Sequence, residues 1–387
     1  ADKAYIYLFG RLENGQSFLT INEFKPYFFI KTSNLKKVQK SPKFESEKTD
    51  LTNFKKEPVT KIILNIPQEV PKLRFAFEKN DIECYEADIR FSNRFLIDKK
   101  IQASLEIDGE YETHQNVDRV YKEPDLSPID YKPDNLKVLS LDIETSIDGK
   151  KLYCLSLYSE KYQKSFIVSK SKFPNTISCS DEETLLDNFN KVLLLEDPDI
   201  ITGWNVLDFD LDFLQKKCRQ YKIPFRLGRD NSNSKLKLES NFFRDSKADV
   251  SGRQVLDGLS ILKASFVKVR DYKLDTVAAE ILKDSKLLKH EDKFKIDAIY
   301  KEDPQKLLDY NLKDAKLVYD IIFKSKTLDL TIQRSLLTGM PLDRVSASIA
   351  SFDSIYLKKA RERKYVVPSG KFSNKPSQIT GGFVMES

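Results

Sequence analysis

Leu139-Ser140-Leu141-Asp142-Ile143-Glu144-Thr145 is the run on which the fold turns. Leu136, Val138, Leu139 and Leu141 supply the apolar side chains of a strand spanning 136–145. Side chains alternate along a strand, so Asp142 and Glu144 share one face, with Cα atoms roughly 6–7 Å apart at about 3.3 Å per residue. Two acids on the exposed face of an edge strand would need no further explanation. The apolar neighbours argue instead for a central strand, where an uncompensated carboxylate is costly to bury. Carboxylates at this spacing can share or flank a metal ion.

Outward from this strand the pattern is α/β. Tyr153–Tyr158 and Ser165–Ser169 read as further strands. Asp181–Leu195 has helical spacing, with Leu185, Leu186, Phe189 and Val192 as its apolar stripe. Asp199–Trp204 reads as a short buried strand and Asp210–Tyr221 as a helix that Pro224 stops. The polar stretch 229–253 reads as a surface loop or hairpin. Asp275–Leu282 and Pro304–Phe323 read as helices, and one more helix follows within 345–363.

Towards the amino terminus, Asn14-Gly15 marks a hairpin between Ile6–Phe9 and Phe18–Ile21, and Tyr27-Phe28-Phe29-Ile30 looks like a buried strand. Lys36, Lys37, Lys40, Lys43, Lys55 and Lys56 form a charged stretch, read first as a solvated surface and second as a phosphate-steering one. Pro124, Pro128 and Pro133 favour an extended linker. These features divide the chain into a mostly β domain over 1–134, an α/β domain over 135–344, and a segment over 345–387.

Composition narrows the chemistry. The 387 residues include 65 basic and 59 acidic ones, a net charge of +6 that permits nucleic-acid binding without establishing it. The four cysteines form no C-x-x-C pair and read as reduced thiols of a cytoplasmic protein. Two histidines leave metal chemistry to carboxylates, which suits Mg²⁺ or Mn²⁺. No apolar run of about 18 residues is present to span a membrane.

Two further acidic segments accompany the first. Asp208, Asp210 and Asp212 alternate where a buried strand gives way to a helix, and helix capping would explain any one of them. Spacing does not choose among the three. Tyr310 and Asp314 lie four apart on a helix and share a face with Leu317 and Ile321, which packing alone explains less easily.

The order Asp-x-Glu, then Asn-x4-Asp, then Tyr-x3-Asp resembles the three motifs of 3′→5′ proofreading exonucleases. The likeness extends over almost the whole chain to the amino-terminal half of family B DNA polymerases, in particular the bacterial polymerase II type. Asp197–Asn205, Leu227–Ser232, Tyr310–Asp314, Tyr85–Phe91 with Arg94-Phe95-Leu96, and Gly381–Met385 carry it. The resemblance implies a ribonuclease H-like α/β exonuclease domain, a mixed sheet flanked by helices, with a smaller α+β amino-terminal domain. It implies Asp142, Glu144, Asp210 and Asp314 as ligands of two ions, and so selects Asp210 from its neighbours. It implies Tyr310 as the residue that orients the attacking water, and Thr145, Asn205 and Phe209 as contacts to the substrate strand. Many relatives have Gly-Tyr-Asn where this chain has Gly203-Trp204-Asn205; an aromatic ring is retained.

Elementary chemistry agrees with those roles. Phosphodiester hydrolysis needs an activated water and a stabilised leaving oxyanion, which two divalent ions about 3.5–4 Å apart supply without histidine. The catalytic segments of the polymerase half are not found in these residues; Phe352–Leu357 has the wrong spacing and reads as helix. The expectation is therefore an exonuclease portion of a larger enzyme, monomeric, acting on the 3′ end of single-stranded or frayed DNA, with a sliding clamp as a partner of the longer protein. Residues 345–387 are expected to fold back onto the amino-terminal domain. Two other readings stand beside it: a template-strand binding module using aromatics such as Tyr7, Phe28 and Tyr85, and an RNA-directed nuclease, since the acids alone do not sense a 2′-OH.

Overall fold

The computed structural model describes residues 3–38, 44–239, 246–287 and 295–370. The segment Gly381–Met385 and the lysines at 40 and 43 lie outside the described residues. The chain divides into two compact units. Among the described residues one comprises 3–5, 23–95 and 356–370, the other 6–22 and 96–355. Boundaries drawn at 134 and 344 follow the order of the chain, whereas the units follow packing in space. The proline-containing stretch is an example: Asp125–Pro128 is a strand paired antiparallel with Leu105–Asp108.

The larger unit is organised by a six-stranded mixed sheet. In spatial order its strands are Thr176–Cys179, Gln163–Val168, Leu152–Tyr158, Val138–Thr145, Ile200–Gly203 and Gln254–Asp257. Val138–Thr145 runs antiparallel to Leu152–Tyr158 and parallel to Ile200–Gly203, which is itself parallel to Gln254–Asp257. The strand expected at 136–145 is thus central, paired on both sides. Gln254–Asp257, just after the stretch read as polar surface, is a strand that sequence reasoning missed. The same stretch also holds a small hairpin of Lys235–Lys237 and Lys247–Asp249.

Alternation sorts the central strand onto two faces. Leu139, Leu141 and Ile143 pack with Leu185, Leu186, Phe189 and Val192 of the helix Glu182–Glu196. Asp181 caps that helix, its carboxylate accepting the Thr184 N–H at 2.8 Å. On the opposite face Val138 packs with Ala315, Tyr319 and Ile322 of the long helix Pro304–Lys324. Ser140, Asp142 and Glu144 share the face of Val138 by the period of two, so the acids are turned towards that helix.

In the smaller unit, Tyr27–Lys31 lies between Pro58–Ile63 and Cys84–Tyr85 in a four-stranded sheet. Phe28 is fully buried and Tyr85 nearly so, both in apolar cores. The isolated bridges Thr52↔Tyr365 and Tyr85↔Pro368 add the chain beyond residue 356 to this unit. Lys36, Lys37, Lys55 and Lys56 are exposed, as a solvated surface requires. All four cysteines are free and buried. No helix of the described residues is long and apolar enough to cross a membrane.

Candidate active site

Three carboxylates meet where the central strand faces the long helix. Each of Asp142, Glu144 and Asp314 offers an oxygen, and these oxygens all lie within 4.8 Å of one another. The strand supplies two acids from one face, and the helix brings the third across. Burial, then the charges of Asp210, Asp314 and Glu144, push the Asp142 carboxyl well above the usual range; Lys286 opposes them. Carboxylates held this close favour either a retained proton or a bound cation.

Asp210 is the buried member of its alternating trio. Asp208 is exposed and meets Ser246, and Asp212 pairs with Lys216 at 2.6 Å, one turn along. The helix expected over 210–221 begins earlier and wider, with a π-type turn over Leu207–Leu211 closed by the Leu211 N–H on the Val206 carbonyl at 2.8 Å. That widened turn carries Asp210 inward, and the α-helix proper runs Asp212–Gln220. Asp210 Oδ1 accepts the Ile143 N–H at 3.1 Å, between the two strand acids in sequence. It is not one of the three that converge within 4.8 Å. Burial raises its carboxyl well above the ordinary value, although the Ile143 hydrogen bond pulls the other way.

Tyr310 is buried beside the cluster, one helical turn before Asp314. Burial, then the charges of Asp314, Glu144 and Asp142, raise its phenol, so it keeps its proton at neutral pH. Two neighbours escaped sequence reasoning. Asn311 donates from Nδ2 to Asp142 Oδ2 at 2.6 Å and is fully buried. Its signal was available: it lies three residues before Asp314 on the same helical face. Lys286 contacts Asp314 and donates to the Tyr310 hydroxyl at 3.3 Å. It comes from a separate polar segment, and nothing in its local sequence distinguishes it from other lysines.

The three expected strand contacts differ in their settings. Asn205 follows the strand Ile200–Gly203 in a left-handed conformation, φ +59°. Gly203 before it has no room for a side chain, since a Cβ would stand 2.6 Å from the Leu141 carbonyl oxygen. Phe209 is 49% exposed and Thr145 half-buried at the end of the ligand strand. Trp204 donates from Nε1 to the Tyr272 carbonyl at 3.1 Å, so its ring is anchored through the indole N–H.

The donor set is oxygen only. Cys154 lies opposite Glu144 in the strand pairing, but burial first and then the charges of Glu144 and Asp142 hold its thiol protonated. Carboxylates without histidine or thiolate suit hard cations such as Mg²⁺ or Mn²⁺.

Comparisons with known proteins identify the family. The family model for the family B DNA polymerase exonuclease domain matches residues 82–277. DNA polymerase II of Escherichia coli is 32% identical over 351 residues, covering 87% of this chain and 43% of that protein. A DNA polymerase of Methanocaldococcus jannaschii is 28% identical, covering 100% of this chain and 24% of its own length. The chain thus spans less than half the length of these relatives. The structure of the family B DNA polymerase from the hyperthermophilic archaeon Pyrobaculum calidifontis superposes with a TM-score of 0.78 at 21% identity. That match covers 97% of this chain and 52% of the other, and places the two in the same fold. With Asp142, Glu144 and Asp314 gathered at one sheet face, the family model matched over residues 82–277 and a relative 32% identical across 87% of the chain, this chain belongs to family B of the DNA polymerases and carries its exonuclease domain.

Proposed function

We propose that this chain removes nucleotides from the 3′ end of DNA by hydrolysis, the proofreading reaction of a longer polymerase II-like enzyme. The observation that carries the reading is the convergence of Asp142, Glu144 and Asp314 within 4.8 Å beside a buried tyrosine. Asp142, Glu144, Asp210 and Asp314 would hold two divalent ions, Mg²⁺ or Mn²⁺. When bound, such ions favour ionisation of the attacking water and stabilise charge on the departing oxygen.

The protein's own groups do the rest. Tyr310 keeps its proton and orients the water by hydrogen bonding. Asn311 fixes the rotamer of Asp142. Lys286 balances the charge of Asp314 before substrate arrives. Asn205, Thr145 and Phe209 hold the terminal nucleotides, Phe209 through an exposed ring suited to stacking. Water adds to phosphorus, the bond to the 3′ oxygen of the preceding nucleotide breaks, and a nucleoside monophosphate leaves a strand one residue shorter. In this reading 135–344 is the nuclease domain, 1–134 the amino-terminal domain and 345–387 the segment that leads away from it. The longer enzyme works as a monomer in the cytoplasm and meets a sliding clamp.

The template-binding alternative is weakened by burial. Phe28 and Tyr85 lie in the core and offer no face to a base; Tyr7 alone of the three is exposed. The test is digestion of a 5′-labelled single-stranded DNA oligomer with Mg²⁺, with EDTA, and with Asp314→Ala. A ladder of shortened labelled products from the parent protein in Mg²⁺ alone is expected. Label released as a mononucleotide, or cleavage that persists in EDTA or in the variant, would refute the polarity or the site. A matched RNA oligomer separates the RNA reading.

A further inference from the structure

We propose that the segment 263–273 is a second contact surface for single-stranded DNA, a basic track with one aromatic platform that ends beside the Asn205 turn. It joins the helix Gly258–Lys263 to the helix Leu274–Ile281 without regular structure of its own. From 266 to 270 exposure alternates with a period of two. Val267 and Val269 pack on a core of Leu262, Leu274, Val277 and Leu317, while Phe266, Lys268 and Arg270 face solvent. Phe266, Lys268 and Arg270 thus face outward together, as contacts that follow a single polynucleotide strand require.

Phe266 is 86% exposed, the highest value of any large hydrophobic side chain among the described residues. An unburied phenyl ring forgoes roughly 1.5–3 kcal/mol of transfer energy, and packing does not account for its position here. The Arg334 guanidinium lies 5.8 Å from its centroid and donates to the Ala264 carbonyl at 2.9 Å, which braces the base of the segment. Lys263, Lys268, Arg270 and Lys273 are all exposed, and none of the four forms an ion pair among the described residues. The nearby carboxylates accept backbone N–H groups, and the Lys273 N–H, then Thr276 and the charges of Lys273 and Arg270, lower the Asp271 carboxyl. Glu280 accepts the Arg270 N–H at 3.3 Å, Asp271 the Lys273 N–H at 2.9 Å, and Asp275 the Lys286 N–H at 3.0 Å.

Cations interleaved with an exposed aromatic ring suit an unpaired strand: the cations follow phosphates and the ring takes the face of a base. A duplex keeps its base faces stacked internally and offers nothing to Phe266. The far end of the track is tied to the turn before Asn205. Tyr272, at that end, receives the Trp204 indole N–H, and Asn205 is the next residue. A strand whose 3′ end lies at Asp142 and Asp314 would have nucleotides further from that end to lay along 263–273.

The proposal takes its substrate class from the hydrolysis reading, but its test needs no cleavage. Binding of labelled (dT)16 and of a 16-base-pair duplex is measured by fluorescence anisotropy in EDTA across a salt series. The proteins are the parent, Phe266→Ala, Lys268→Ala/Arg270→Ala, and a control pair at exposed lysines, Lys170→Ala/Lys172→Ala. Phe266→Ala is expected to weaken (dT)16 binding by about fivefold or more. The Lys268/Arg270 pair is expected to lower the slope of log K against log salt by about 1.4, or about 0.7 for each lost phosphate contact. No measurable (dT)16 binding by the parent, unchanged binding in both track variants, an equal loss in the control pair, or an equal loss for duplex would each overturn the proposal. If the digestion assay yields no products while the track variants still lose (dT)16 binding, the hydrolysis reading falls and the track stands.

Discussion

Replacing Asp142 with asparagine should make the metal-free protein more stable while abolishing its response to divalent cations. Oxygens of Asp142, Glu144 and Asp314 lie within 4.8 Å of one another. At an effective dielectric of about 20, two full charges at that separation repel by about 3.5 kcal/mol. The substitution removes two of the three pairs. Several effects reduce the gain. The Asp142 carboxyl is already raised by burial and by its acidic neighbours, so part of the repulsion is relieved by protonation. Lys286 offsets the charge of Asp314. Asp142 also keeps partial access to solvent, which screens it. A net stabilisation of about 1–3 kcal/mol remains, or about 2–4 °C per kcal/mol in the midpoint of a domain this size. The new side-chain carbonyl can still accept from Asn311, so local geometry survives.

The assay is thermal unfolding in EDTA and in Mn²⁺, repeated across pH. The parent should gain stability from Mn²⁺ and Asp142→Asn should not. A raised native carboxyl pKa contributes stability that is present below the ordinary aspartate value and is lost as pH rises through the native one. The parent in EDTA should therefore lose stability with rising pH more steeply than the variant. The Mn²⁺ effect on the parent should grow over the same range, because cation and proton compete for the same oxygens. A variant less stable than the parent in EDTA, or one with an undiminished Mn²⁺ shift, would refute the reasoning.

Other expectations follow from the same contacts. Lys286→Met should tighten Mn²⁺ binding in the absence of DNA by on the order of tenfold, since a cation that opposes the metal is removed; calorimetric titration reads it, and weaker binding would count against the arrangement. Tyr310→Phe should lower the single-turnover hydrolysis rate by about 10²-fold with Mn²⁺ affinity unchanged; an equal loss of both would mean that the tyrosine supports the fold of the site. Gly203→Ala should cost about 1–3 kcal/mol in urea unfolding and weaken Mn²⁺ binding, because the added methyl meets the Leu141 carbonyl oxygen. Arg229→Met should cost about 3–5 kcal/mol, since it leaves Asp197 and Asp199 underpaired in a cluster completed by Arg11 and Arg253. Burial would raise the Asp197 carboxyl, but the hydrogen bond and charge of Arg229 and the charges of Arg253 and Arg11 together hold it below its ordinary value. Its stabilisation is present above about pH 4 and lost as pH falls through the lowered native value, so the difference between parent and variant should close in that acid range.

Legibility of the site from sequence varied with how local the signal was. Asp142 and Glu144 announced themselves because strand alternation is a local rule, and Tyr310 and Asp314 because a helix places residues four apart on one face. Asp210 could not be separated from Asp208 and Asp212 by spacing. The widened turn at Leu207–Leu211 turns Asp210 inward and leaves Asp208 outside. Helical spacing assumes 3.6 residues per turn and does not foresee that irregularity. Lys286 and Asn311 were overlooked for different reasons. A lysine in a polar segment has no local mark, whereas Asn311 shares a helical face with Asp314.

The fold divides along the same line. Alternation and helical periodicity in 136–323 determined an α/β domain with a central acidic strand, because both follow from the covalent geometry of a few consecutive residues. The buried aromatic strand at 27–30 was legible for the same reason. The short strand Gln254–Asp257 was not, since four residues carry too little pattern to stand out from a polar loop. Pairings between distant segments lay outside the reach of any local rule. Strand order, the meeting of Arg11 with Asp197 and Asp199, and the grouping of 356–370 with 23–95 are set by which surfaces exclude water and satisfy charge together. The candidate site has both origins: alternation put two carboxylates on one face of a strand, and packing of the long helix against that face brought in the third.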